Sequence, residues 1–162
     1  MSEKEMYLKS WAREFHTTLK VLKAYPADKL DFKPHERSRS ARELAWTFVG
    51  EEAVTDSVVK GEIDFSGAQQ QPPATLDEIL GAFQKVHKEM YEKVQNLSEQ
   101  DYNNTIKFPV SPKEMGDLRR ADVLWVMLMD SVHHRGQFSV YLRMAGGKVP
   151  SIYGPSADEP WM

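Results

Sequence analysis

The chain has 162 residues, enough for one domain with a substantial apolar core. Hydrophobic residues make up 41% and charged residues 28%, and the formal charge is −3; this excludes a disordered chain and gives no basic stripe for nucleic acid. The count of cysteines is 0, which removes disulfides, thiolate metal sites and a cysteine nucleophile.

No run of roughly 18 apolar residues is present, so no membrane span is expected. The opening MSEKEMYLKSWAREF lacks the apolar stretch of a secretory signal, which makes the cytoplasm the default location. Residues 1–162 read as a single domain.

Four segments carry helical periodicity. The first runs from about Lys4 to Ala24, with Leu8, Trp11, Phe15, Leu19 and Leu22 on its apolar stripe, and stops at Tyr25-Pro26. The second opens at Ser40 with Glu43 completing a capping box, and ends near Lys60-Gly61. The third opens at Thr75 with Glu78, and carries Leu76, Ile79, Leu80, Phe83, Val86, Met90, Val94 and Leu97. The fourth is expected from near Asp117 to about Ala145, before Gly146-Gly147.

Long connections, 25–39, 61–74 and 98–117, separate these helices. Gln69-Gln70-Gln71-Pro72-Pro73 is the clearest linker. A fourteen-residue connection reaches about 45 Å when extended, so the second and third helices could run parallel. No convincing alternation of period two is seen. The expected fold is all-α, a four-helix bundle without a sheet.

Two stripes break the apolar pattern. On the fourth helix Met127, Asp130, His134, Phe138 and Tyr141 share a face, which points Asp130 and His134 toward the interior. On the second, Leu44, Thr47, Glu51, Val54 and Val58 share a face interrupted by Thr47 and Glu51. If the stripes meet, Thr47, Glu51, Asp130 and His134 form an oxygen-rich site with one imidazole, suited to a divalent ion. A hydrogen-bonded Asp–His pair with only a structural role fits the same pattern. His133 and Arg135 fall off the stripe and are expected to face solvent or an interface. His16, His35 and His87 stand alone, as surface or packing residues. Gly146-Gly147-Lys148 lacks phosphate-loop spacing, and no Gly-x-Ser-x-Gly elbow exists. The rigid aromatic tail from Val149 to Trp161 is expected to be ordered, packing on the bundle or a second subunit and walling the cavity.

The segment His133-His134-Arg135-Gly136-Gln137, followed by Tyr141-Leu142-Arg143 and Val149-Pro150-x-x-Tyr153-Gly154, resembles the DinB/YfiT-like superfamily. Ser40-x-x-x-Leu44-x-x-Thr47 is similar to the same family's lead-in to its second helix. The resemblance implies a compact four-helix bundle, often dimeric, with a divalent metal on three histidines. One comes from the second helix and a His-x-x-x-His pair from the fourth. It also implies relatives that act as thiol-dependent transferases or isomerases. Here Thr47 and Asp130 stand where the family has histidine, and only His134 remains.

Three functions stay open. One is an enzyme, a metal-dependent hydrolase or thiol transferase acting on a small molecule. Its cofactor would be Zn, Ni, Mn or Fe on His134, Asp130, Glu51 and Thr47. Without metal, Asp130 would orient His134 as a general base and Tyr141 would donate. The second is a module that binds a small hydrophobic or anionic ligand without turnover. The third is a homodimeric interaction protein with a vestigial, metal-free site.

Overall fold

A computed structural model describes residues 1–65 and 70–161. Gln69 of the expected linker lies outside them. Four long helices form the body: α1 (Glu3–Lys23), α2 (Ala41–Lys60), α3 (Leu76–Gln95) and a fourth, α5 (Arg120–Met144), which follows a short α4 (Glu99–Asn103). The capping boxes read from sequence are present: Ser40 accepts from the Glu43 amide and Thr75 from the Glu78 amide, each reciprocated by the glutamate. Ser2 and Glu5 make another at the start of α1. Gly61 closes α2 with φ +82°, a left-handed conformation that a side chain would strain.

The absence of a sheet is corrected. Between α4 and α5 the chain forms an antiparallel hairpin of β1 (Thr105–Ser111) and β2 (Glu114–Arg119), so the protein is mainly helical rather than a bare four-helix bundle. Ile106 and Phe108 are turned toward the core, but Pro109 in β1 and the three-residue spacing of Met115 and Leu118 in β2 hide the alternation. For the same reason α5 begins at Arg120, and Asp117 belongs to β2.

The core divides into two clusters whose membership fixes helix direction. Leu22 and Phe138, late in α1 and α5, share one cluster with Leu44, Phe48, Ile79 and Phe83, early in α2 and α3. The other cluster joins early Tyr7, Trp11 and Leu124 to late Val54, Val58, Met90 and Val94. So α2 and α3 run parallel, and both oppose α1 and α5. A long crossover between α2 and α3 is what permits this. Each fully buried large apolar side chain contributes on the order of 1.5–3 kcal/mol. Every apolar residue expected on the α1 stripe is buried.

Arg135 is a second correction. It is 1% exposed, the largest fully buried side chain in the protein. Its Nη1 lies 2.7 Å from Glu14 Oε2 on α1, and its other terminal nitrogen donates to the Tyr153 hydroxyl. Tyr153 in turn donates to Glu14 Oε2 at 2.7 Å. The tail is thus ordered against the bundle, assisted by Lys20–Glu159 and Arg143–Asp158. Burial works to raise the Glu14 pKa, but the hydrogen bonds from Tyr153 and Arg135 win and hold it below its ordinary value.

Arg135→Ala takes from Glu14 its buried cation, leaving the Tyr153 hydroxyl and the exposed Arg13, and is expected to cost about 3–5 kcal/mol in urea unfolding. Tyr153→Phe removes two charge-assisted hydrogen bonds, from Arg135 and to Glu14, but leaves the Arg135–Glu14 ion pair, and should cost only about 1.5–3 kcal/mol. Because Glu14 is depressed, its contribution is complete above pH 4.5, the ordinary value, and disappears as pH falls through the lower folded-state value. A difference between the Arg135→Ala and wild-type unfolding curves that did not shrink on acidification would contradict the pairing.

Candidate metal centre

The candidate site lies where the middle of α2 faces the middle of α5. Glu51 and His134 meet across that interface, His134 Nδ1 standing 2.5 Å from Glu51 Oε1. Asp130, one helical turn before His134, brings Oδ2 to 3.8 Å from the same nitrogen. One ligand atom from each of the three lies within 4.8 Å of the others. Glu51 and His134 are half-buried, whereas the Asp130 side chain is 56% exposed. Asp130 therefore does not point into the interior as its stripe position suggested. It reaches over the rim of a pocket of about 490 Å³.

Thr47, the other expected ligand, lines that pocket but is not among the converging atoms. Its hydroxyl donates to the Glu43 carbonyl at 3.1 Å and accepts from Arg39 Nη1 at 2.9 Å. Tyr141 is buried, and its hydroxyl donates to the Arg39 carbonyl at 3.0 Å. It supports Arg39, and together with His134 it lines a neighbouring pocket of about 290 Å³. The pocket also holds residues that the stripes did not mark: Arg39, Trp46 with its Nε1 donating to the Gln70 carbonyl, Phe65 and Pro72. Arg39 forms no ion pair among the described residues. No part of the tail contributes to this wall.

Two further residues escaped the sequence reading. Glu52 is buried, and its Oε1 accepts from Trp11 Nε1 at 3.0 Å and meets His87 Nδ1 at 3.0 Å. His87 is a packing residue, as one alternative had it, but it does not stand alone: its ring stacks on Phe15 at 3.8 Å. The signal was available. Ala45, Phe48, Glu52 and Thr55 form a second stripe on α2, and His87 continues the Phe83–Met90 stripe on α3.

Electrostatics tie the site together. Burial raises the Glu51 pKa; His134 pulls it down and Asp130 adds to the rise. The His134 pKa is raised, first by its hydrogen bond to Glu51 and against the effect of burial. The donor set fits a hard or borderline divalent cation, with two carboxylates and one imidazole, and a cation would cancel the Glu51–Asp130 repulsion.

The DinB family model matches residues 1–161 of the chain. An uncharacterized protein of Bacillus subtilis (strain 168), YrdA, is 26% identical over 155 residues, covering 94% of this chain and 89% of the relative. The crystal structure of a DinB-like protein from Bacillus cereus ATCC 10987 superposes with a TM-score of 0.78 at 22% identity, over 92% of this chain and 97% of that one. A DinB-like protein from Bacillus subtilis, YjoA, gives 0.72 at 17% identity, over 88% and 94%. These two likenesses establish the fold.

His134 is expected to titrate above the ordinary value of 6.5 in an NMR titration, and Glu51→Gln should return it toward that value. Both shifts are upward, so both favour the protonated state. The stabilisation from His134 is complete below pH 6.5 and is lost as pH rises through its raised midpoint; that from Glu51 is lost on rising through its own, above 4.5. A His134 midpoint unmoved by Glu51→Gln would break the assignment.

Proposed function

The chain belongs to the DinB family, and from that premise we propose that it is a cytoplasmic small-molecule enzyme, a metal-dependent hydrolase or thiol-dependent transferase, whose divalent ion is held by Glu51, Asp130 and His134. The observation that carries this reading is the convergence of those three side chains at the mouth of a pocket large enough for a small molecule. A Zn, Ni, Mn or Fe ion there supplies Lewis acidity toward a water or thiol nucleophile. The chain's own groups do the rest. Glu51 orients the His134 ring through the hydrogen bond at Nδ1, which would leave the other ring nitrogen to the ion. Arg39, at the rim and without a carboxylate partner, favours a substrate bearing an anionic group. Trp46 and Phe65 offer apolar surface to the remainder of that molecule.

The family's three-histidine ligand set is not carried over, since Thr47 and Asp130 replace two of its members. Carboxylates bind harder ions better than imidazole does, which moves the preference toward Mn or Fe relative to Zn.

The proposal includes a homodimer. Along the outer side of α5, Val126, Met129, Val140 and Met144 are each more than half exposed, at spacings that keep them on one face with Gly136 between. A second copy crossing this face near Gly136, where an added Cβ would meet nothing within 4 Å, would cover it.

Calorimetric titration of metal-free protein with Mn²⁺, Fe²⁺, Ni²⁺ and Zn²⁺ is expected to give one site. Asp130→Asn and Glu51→Gln should each weaken it by about tenfold or more, and Asp130→Asn, at an exposed carboxylate, should leave the melting temperature of the metal-free form little changed. Absence of binding by all four ions would remove the enzyme reading and leave ligand binding without turnover. Light scattering should report a dimer that Val140→Glu converts to a monomer; a monomeric wild type would end the dimer proposal.

A further inference from the structure

Behind Glu51 stands a second acid that the proposed chemistry does not use. Residues 51 and 52 are neighbours on α2, and a helical step of roughly 100° sends their side chains to different partners. Glu51 goes to α5. Glu52 goes to α1 and α3, where Trp11 and His87 hold its Oε1. Each carboxylate keeps a buried second oxygen, Oε2, without a hydrogen-bond partner. Both glutamates line one gap of about 10 Å³, with Tyr7, Thr55 and Ser131 as its hydroxyl groups and Trp11, Met127 and Leu128 as its apolar wall.

That space is close to what one water requires, and its lining is polar enough to hold one. A water has two protons to give, and two of the residues that line the gap each carry an orphaned carboxylate oxygen. Tyr7, kept protonated by burial and by the charge of Glu52, can donate to the water's own oxygen. The Ser131 hydroxyl stands near enough to the Glu51 carboxylate to lower its pKa, yet neither Oε2 has a hydrogen-bond partner.

We propose that a single ordered water fills this gap, donating one hydrogen to Glu51 Oε2 and the other to Glu52 Oε2, so that Glu52 is a positioning residue for Glu51. Glu51 is then held at both ends. His134 fixes Oε1 from the pocket side, and the water fixes Oε2 from the core side. The anchor behind the water is itself rigid, because Glu52 is clamped by Trp11 and by a His87 ring stacked on Phe15. The water site stands whether or not an ion binds in front of it; only its effect on metal affinity rests on the function proposed above.

A crystal structure of the whole chain at about 1.5 Å resolution decides the first point. The expected result is one isolated peak roughly 2.6–3.2 Å from both Oε2 atoms. An empty gap, direct contact between the two carboxylates, or a peak at the shorter distances of a cation would overturn the proposal. The positioning role is read from Mn²⁺ affinity by electron paramagnetic resonance. Glu52→Met, which cannot hold the water, should weaken Mn²⁺ binding about tenfold, and Glu52→Gln, which can, should stay within about twofold. Ser131→Val fills the gap from α5 without touching Trp11 or His87, so it keeps the test alive if Glu52→Met fails to fold. It should give the same loss. Ser131→Ala, which removes the hydroxyl beside Glu51 without filling the gap, is its control and should stay within about twofold. Unchanged affinity in Ser131→Val would show that Glu52 is only a core residue. If wild-type protein binds no Mn²⁺, the metal reading fails and the crystallographic peak alone judges the water.

Discussion

Burial of carboxylates is the constraint around which this bundle is organised. A glutamate taken out of water must find a cation, an imidazole or several hydrogen bonds. Three such acids are met by a base on a different helix: Glu14 on α1 by Arg135 on α5, Glu51 on α2 by His134 on α5, and Glu52 on α2 by His87 on α3. Each pair spans a helix–helix interface, so together they specify which face of each helix meets which neighbour. Apolar packing alone tolerates rotation and sliding far better than a buried ion pair does.

The three pairs differ in how completely they are satisfied, and that difference separates scaffold from site. Glu14 has Arg135 and Tyr153 on the same carboxylate, and its pKa falls accordingly. Glu51 and Glu52 have one oxygen served and the other orphaned, and burial dominates both, raising their pKa values. A fully satisfied pair resists change. A half-satisfied pair opening onto a pocket has capacity left for a ligand. Only Glu51 combines that capacity with access to the 490 Å³ pocket and a second acid, Asp130, at its rim.

Much of the fold was legible because period and capping are local. The stripes of α1 and α3 and the Ser40–Glu43 and Thr75–Glu78 boxes depend on residues three or four apart. The hairpin was not legible, since Pro109 interrupts β1 and β2 carries no apolar alternation. The site was half legible for a different reason. Helix α5 is apolar nearly all round: Leu124, Leu128, Phe138 and Leu142 are buried, while Val126, Met129, Val140 and Met144 are exposed. A helix of that kind offers more than one stripe, and periodicity cannot choose between them. The stripe through Asp130 and His134 found two of the three converging side chains but made Asp130 too deep. The alternative through Leu124, Leu128, Ser131, Arg135, Phe138 and Leu142, at steps of three and four, would have exposed Arg135 as the buried base.

The same ambiguity explains why only the first of two consecutive glutamates on α2 stood out in the sequence. Glu51 breaks the stripe of Leu44, Val54 and Val58, and Glu52 breaks that of Ala45, Phe48 and Thr55. A helix buried on two sides, here against α3 and α5, has two core stripes, and adjacent residues can each belong to one. Both acids are then buried, but toward opposite partners, and the backbone between them makes their geometry common. Displacing α2 far enough to relieve one pair strains the other. The candidate centre thus inherits its rigidity from a core contact, Glu52 with Trp11 and His87, that touches none of the pocket.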